Sequence, residues 1–217
     1  MERRRLTWPT HAAGGIAALW LLTLTPGPAT RQALLEPAPS GAPYSSSIIP
    51  TSLIISNPAV SGQNIGALAL VAALAALLPD LDAPRSKIRS LTMGPFRPLD
   101  PLGDLLYGAW GHRGPLHSLL GLTVFGLLFA LPLSLLFGWL YGAAALLGYA
   151  SHLALDAMTR HGIPLLPEQG KDGRWSLKHR RHLLPRSLRF VTGSAAEDVL
   201  QAVLLGADLA LLLRYLA

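Results

Sequence analysis

Apolar residues along this chain fall into long runs, which polar, basic or proline-rich segments separate. The runs cover residues 12–24, 65–78, 118–158 and 195–216. The third run is about twice the length of the roughly 20 residues that one bilayer-spanning helix needs. Because Pro132 and Gly138 interrupt it, we interpret this run as a helical hairpin. The pattern therefore predicts five membrane-spanning helices, over residues 8–26, 63–80, 117–136, 139–157 and 196–216.

The composition favours lipid over water as the surroundings of the chain. Hydrophobic residues make up 51% of the 217 residues and charged residues only 14%. In soluble domains, by comparison, about a quarter of the residues are charged. We therefore expect an all-α fold, a polytopic membrane helix bundle of about five transmembrane helices, as a single domain over residues 1–217. The absence of cysteine excludes disulfides, cysteine-ligated zinc and a thiol nucleophile.

The first two predicted spans are short, and each has an alternative interpretation. The arginine-rich start, the short apolar run and the small residues near Ala29 also fit a secretory signal peptide. His11 argues against that alternative, because an apolar signal segment gains nothing from an imidazole. The alanine-rich run over residues 65–78 also fits a buried core helix.

Basic residues are distributed very unevenly along the chain. Sixteen of the 18 Lys and Arg residues fall in residues 1–7, 81–116 and 158–195, which a five-helix topology places on one side. Residues 27–62 carry only Arg31 and are rich in Pro and Ser. By the positive-inside rule, the basic side is the cytoplasm. The sequence thus predicts a multi-pass inner (plasma) membrane protein with a cytoplasmic N-terminus, an external loop at 27–62 and basic cytoplasmic loops at 81–116 and 158–195.

Four histidines and three aspartates lie at the helix ends that this topology brings to the cytoplasmic face. Ionisable side chains at membrane depth are costly, so their positions indicate function. His152 and Asp156 are one turn apart and share one helical face. Asp80 and Asp82 follow Pro79, in a segment that we expect to be non-helical. The candidate metal ligands are His11, Asp80, Asp82, His112, His117, His152 and Asp156.

Imidazole and carboxylate ligands without a thiolate suit zinc, manganese or iron, and seven of them suffice for two ions. The sequence therefore predicts one or two divalent metal ions, with zinc the leading candidate. In the catalytic interpretation, Asp82 is the general base and Arg113 steadies the charge that develops on a phosphate. Each piece also has a structural interpretation: His152 and Asp156 as a hydrogen-bonded pair, the two aspartates as a turn, and Arg113 as a membrane anchor.

Several short motifs, in this order, resemble the YdjM family, which is described as LexA-binding and inner-membrane-associated, with a suspected metal-dependent hydrolase activity. They are Thr10-His11 and the ranges Leu77–Ser86, His112–Ser118, Gly148–Thr159, Gly162–Pro167 and Thr192–Glu197. The resemblance implies a membrane location and a divalent-metal hydrolase, with the seven histidines and aspartates at matching positions. Pro115 departs from the family pattern, which usually has Thr there.

The leading hypothesis is a membrane-bound metal-dependent hydrolase, a phosphoesterase acting on a lipid or lipid-linked phosphate at the cytoplasmic face. The alternative is a membrane-anchored adaptor that binds a cytosolic regulatory protein or nucleic acid through the basic stretch Lys171–Arg189. Nucleic acid is disfavoured, because the positive-inside signal and attraction to anionic membrane lipid already account for this charge. A transporter ranks third, because the acids cluster at one face. The metal content of the purified protein separates the first two hypotheses.

Overall fold

The computed structural model describes residues 8–24, 65–84, 86–92, 95–110, 114–164, 166, 168–169, 175–176 and 180–216. The predicted external loop at 27–62 lies outside these residues. Two predicted site residues, His112 and Arg113, also lie outside the described residues.

Helices dominate the described residues. The α-helices are α1 (Trp8–Leu24), α2 (Ile65–Ala75), α3 (Asp100–Trp110), α4 (Leu119–Phe125), α5 (Leu131–Phe137), α6 (Trp139–Met158) and α7 (Ala195–Leu216). Two 3-10 helices cover Leu78–Asp82 and Pro115–His117, and a π-helix covers Gly126–Ala130 between α4 and α5. Each long apolar run is largely helical, and α3 is an additional helix outside these runs.

The five predicted spans coincide with helices, within a few residues at each end. In the described part of the chain, two helical stretches are long and apolar enough to cross a membrane, Ile65–Asp82 and Leu119–Phe137. The second of these exposes many large apolar side chains that suit contact with lipid. Among them are Leu127, Leu128, Phe129, Leu135 and Leu136. A topology of five membrane crossings stays a prediction.

The hairpin predicted in the third apolar run is confirmed. Gly138 has φ of 104° and separates α5 from α6. A positive φ of this kind is strained for any residue with a Cβ, so glycine suits the turn. Pro132 does not end its helix; it is the second residue of α5, which the π-helix Gly126–Ala130 directly precedes. Proline removes a hydrogen-bond donor and crowds the preceding turn, which a local change of helical pitch accommodates.

The described fold is mostly helical, as the all-α prediction expects, and the segment predicted as a basic loop at 158–195 has some strand structure. This segment contains two antiparallel pairs of short strands. β1 (Ile163–Pro164) pairs with β4 (Arg180–Arg181), and β2 (Glu168–Gln169) pairs with β3 (Trp175–Ser176). Strands of two residues are too short to show the alternating pattern on which strand prediction depends.

The predicted cytoplasmic loop at 81–116 also has structure of its own, because it contains α3. The Arg89 side chain is buried and donates hydrogen bonds to Asp104 and, over 3.2 Å, to Asp100. The hydrogen bond to Asp104, helped by the one to Asp100, raises the pKa of Arg89 above its usual value. The hydrogen bonds of Arg89 to the two aspartates of α3 hold this helix against the segment that carries Arg89.

The core that positions the site is a close packing of α1, α2 and α6. Ala72 of α2 is fully buried between a glycine from each neighbour. A Cβ on Gly15 of α1 would lie 2.7 Å from the Ala72 carbonyl oxygen, and a Cβ on Gly148 of α6 would come closer still. Small residues at such contacts let helix backbones approach each other closely.

Candidate metal centre

Five of the predicted ligands converge in one cluster. His11 comes from α1, Asp80 from the 3-10 helix after α2, and His117 from the 3-10 helix before α4. His152 and Asp156 come from α6. Two groups of three residues each place one ligand atom per residue within 4.8 Å of the others. The first is His11, Asp80 and His152, and the second is His117, His152 and Asp156.

His152 is shared by both groups, and its ring orientation is set by the backbone. Its Nδ1 lies 2.7 Å from the carbonyl oxygen of Ala76. A carbonyl oxygen only accepts, so this hydrogen bond requires the proton on Nδ1, which leaves the lone pair on Nε2 in the neutral ring. Metal-binding histidines commonly donate their second ring nitrogen in this way. The Nε2 atom is buried and has no hydrogen-bond partner among the described residues.

His11 lies directly against His152. The two imidazole rings stack with their centroids 3.7 Å apart and their planes 14° apart. Both residues are buried, and the Nδ1 atom of His11 also lacks a hydrogen-bond partner in the described structure. Buried polar atoms are rarely left unsatisfied, and a bound ion is one accepted explanation when they are.

His117 lies between carboxylates on both sides of its ring. Its Nε2 is 3.5 Å from Asp80 Oδ1 and 3.8 Å from Asp156 Oδ2. Its Nδ1 is 3.6 Å from Asp82 Oδ2. Asp82 therefore belongs to neither group of three and faces the opposite ring nitrogen. This arrangement matches a carboxylate that orients a ligating histidine from behind.

The position of His117 is fixed by contacts on each side of it in the chain. The Tyr149 hydroxyl of α6 donates to the carbonyl oxygen of Leu116 over 2.6 Å. Ser118 follows His117 and caps α4, because its hydroxyl accepts a hydrogen bond from the Gly121 N–H over 3.2 Å. The turn is therefore held to α6, the helix that carries His152.

The expectation that Asp80 and Asp82 lie in non-helical chain is wrong, because Leu78–Asp82 forms a 3-10 helix. Pro79 is tolerated at the first turn, where its missing N–H is not needed. The tighter helix places the two carboxylates at different depths: the Asp82 side chain is 2% exposed, whereas that of Asp80 is 24% exposed. The cluster is therefore most accessible from outside on the side where Asp80 lies.

The donor set fits a divalent transition metal. Three imidazoles and two carboxylates meet in the cluster, and all but one of them are nearly fully buried. No Lys or Arg takes part in the described ion pairs of the cluster. Imidazole and carboxylate together suit zinc, manganese or iron. His152 belongs to both groups of three but offers one lone pair, so it can bind one ion, and a second ion would take its ligands from the other four residues.

Sequence reasoning missed a buried polar contact beside His11. The spacing of Ser194 and Glu197 predicts a capping box at the start of α7. In the structure Glu197 Oε2 accepts instead from the Gly193 N–H over 2.6 Å, and Oε1 accepts from the Thr10 hydroxyl over 3.2 Å. Thr10 and Glu197 are both buried. Their hydrogen bond ties α7 to the residue that precedes His11, and no local spacing could have indicated a contact across 187 positions.

Comparisons with known proteins show that this chain is related to inner membrane proteins. A family model described as YdjM inner membrane protein matches residues 6–213. The inner membrane proteins YdjM of Escherichia coli (strain K12) and Shigella flexneri are each 40% identical to this chain over 99 residues. That match covers 44% of this chain and 46% of each relative, so it spans just under half of their length. No solved structure matches significantly. Because the family model covers nearly all of it, the chain belongs to the YdjM family of inner membrane proteins.

Proposed function

We propose that this membrane protein is a metal-dependent hydrolase whose His and Asp cluster binds one or two divalent cations. The observation that carries the proposal is the buried Nε2 of His152, which has no hydrogen-bond partner among the described residues and lies 3.8 Å from Asp156 Oδ2. A buried imidazole lone pair beside a carboxylate is a donor pair that divalent metal ions such as zinc use.

The chain's own groups provide binding and orientation. The Ala76 carbonyl keeps the His152 lone pair directed at the cluster, and Asp82 does the same for His117 from its other nitrogen. A divalent cation bound there would supply Lewis-acid polarisation of a substrate oxygen and lower the pKa of water. Burial of His11, His117 and Asp156 limits access by bulk water.

The proposed substrate is a phosphoester carried by a lipid or a lipid-linked group. The cluster opens at Asp80, at the end of the candidate span Ile65–Asp82, so a substrate could approach it from the membrane surface. Sixteen of the 18 basic residues fall on the same side in a five-helix topology, which makes that side the cytoplasmic one and favours an anionic substrate.

An activity assay tests the proposal directly. We expect the purified protein, in detergent or vesicles, to hydrolyse phosphatidate or polyprenyl phosphate. Activity should fall to background with a chelator, return with zinc or manganese, and be absent in His117→Ala. His161→Ala removes a histidine outside the cluster and should retain activity. A protein that contains stoichiometric metal but is inert on a broad panel of phosphoesters and esters would favour the adaptor hypothesis instead.

A variant of Asp82 distinguishes between two roles of this residue: the structure suggests that it orients His117, and the sequence suggests that it is the general base. If Asp82 orients His117, Asp82→Asn should weaken metal affinity by about 10–100-fold and leave kcat at saturating metal nearly unchanged. If it is the general base, as the sequence predicts, kcat should fall while the affinity stays the same. We expect the first result, from competition with a chromophoric chelator and from kinetics at saturating metal. Asp198→Asn, in an exposed residue of α7, is the control.

A further inference from the structure

Three arginine side chains line a cavity of about 660 Å³ beyond the end of α6. Arg160 follows the last residue of that helix by two positions, and Arg186 and Arg189 belong to the chain between β4 and α7. None of the described residues that line the cavity belongs to the His and Asp cluster.

Backbone contacts hold the two walls of the cavity together. The Arg160 N–H donates to the Phe190 carbonyl over 3.1 Å, and Thr159 forms a parallel bridge with Phe190. Further back, the Leu183 N–H donates to the Ala157 carbonyl over 3.0 Å. These main-chain bonds set the spacing of the two backbone segments that carry the arginines, so a ligand need not order the backbone.

The charges in this cavity are not neutralised within the described structure. None of the three arginines forms an ion pair with a described carboxylate. The Nε of Arg189 donates to the Leu184 carbonyl over 2.9 Å, which fixes that guanidinium and leaves its terminal amino groups for a ligand. A position near the C-terminal end of α6 accounts for one cation, Arg160, through the helix dipole. The helix dipole does not account for the other two arginines, Arg186 and Arg189, on the facing segment.

We propose that Arg160, Arg186 and Arg189 form a phosphate-binding site. Guanidinium groups match phosphate oxygens in a planar, bidentate geometry, and several of them around one cavity favour a ligand with more than one negative charge. A phosphate monoester meets this requirement better than a diester does. It can belong to a lipid headgroup or to free phosphate, and both present the same chemistry to the arginines. Phosphate binding at this site does not require that the protein be a hydrolase.

The experiment compares two variants that lose the same charge. Arg160→Gln/Arg186→Gln alters the cavity and leaves the anchored Arg189 in place, whereas Arg97→Gln/Arg181→Gln alters two exposed arginines elsewhere. Binding of inorganic phosphate to the full chain in detergent is measured by calorimetry. Binding to the chain in lipid nanodiscs is compared for phosphatidate, phosphatidylglycerol and phosphatidylcholine, with thermal melts to confirm folding.

We expect the cavity variant to bind phosphate or phosphatidate at least about tenfold more weakly than the parent. Each charge-assisted hydrogen bond from a guanidinium to the phosphate contributes strongly to the binding free energy. The control variant should bind like the parent. Binding of phosphate alone would identify free phosphate as the ligand, and binding of phosphatidate alone would identify a lipid headgroup; either supports the proposal. Equal weakening in both variants, or binding of neither ligand by the parent, would overturn it.

Discussion

Purified protein is expected to contain one or two transition-metal ions per chain, and the variant His152→Ala/Asp156→Ala is expected to lose them. His152 belongs to both groups of candidate ligands, so its removal affects every arrangement that the cluster allows. Loss of two ligands from a site of three to five removes several kcal/mol of binding free energy. Elemental mass spectrometry of dialysed protein gives the stoichiometry.

Single variants tell one site from two. If two ions bind, each single variant, Asp156→Ala or His152→Ala, should remove at most one of them, because His152 offers only the lone pair on Nε2. If one ion binds, both variants should lower its occupancy. His161→Ala/Asp198→Ala removes the same pair of residue types outside the cluster and should keep the full metal content. Full occupancy in His152→Ala/Asp156→Ala would exclude both residues as ligands and remove the basis of the proposed hydrolase.

The helices of this protein could be predicted from the sequence because their signal is local. The apolar runs predicted five helices whose ends agree with the structure within a few residues, and the turn at Gly138 was evident from the break in the third run. The π-helix before Pro132 was not predictable in the same way. It depends on how one turn of helix adjusts to a proline, and nothing in the apolar pattern records that adjustment.

The candidate site was predicted as a set of residue types at one face, and its internal arrangement was not. His152 and Asp156 share a face by spacing alone. That His152 bonds to Ala76, or that Asp82 faces the far side of His117, depends on how separate helices pack. The same limit hid the contact of Thr10 with Glu197 and the convergence of three arginines on one cavity. The number of charged residues in a stretch of sequence does not specify which of them lie close together in the fold.

The packing at Ala72 links the fold to the site through helical spacing. Gly148 lies one turn before His152 on α6, and Ala72 lies one turn before Ala76, whose carbonyl bonds to His152. On α1, Gly15 lies one turn after His11. The close approach of three backbones is therefore one helical turn away from the groups that meet in the cluster. The distance between the helices at Ala72 sets the distance between His152 and Ala76.

Gly148→Leu is expected to destabilise the protein by about 3 kcal/mol or more, because a side chain there meets the backbone of Ala72, which cannot rotate away. For a chain of this size, a melting temperature about 6–12 °C lower corresponds to that loss. Because α2 and α6 must separate, metal affinity should fall as well, although no ligand has changed. Gly206→Leu is the matched control: it lies in α7, and a Cβ there meets no atom of the described residues within 4 Å. Thermal melts in detergent and metal titrations measure both effects, and a Gly148→Leu variant that melts like Gly206→Leu would show that this packing does not set the position of the cluster.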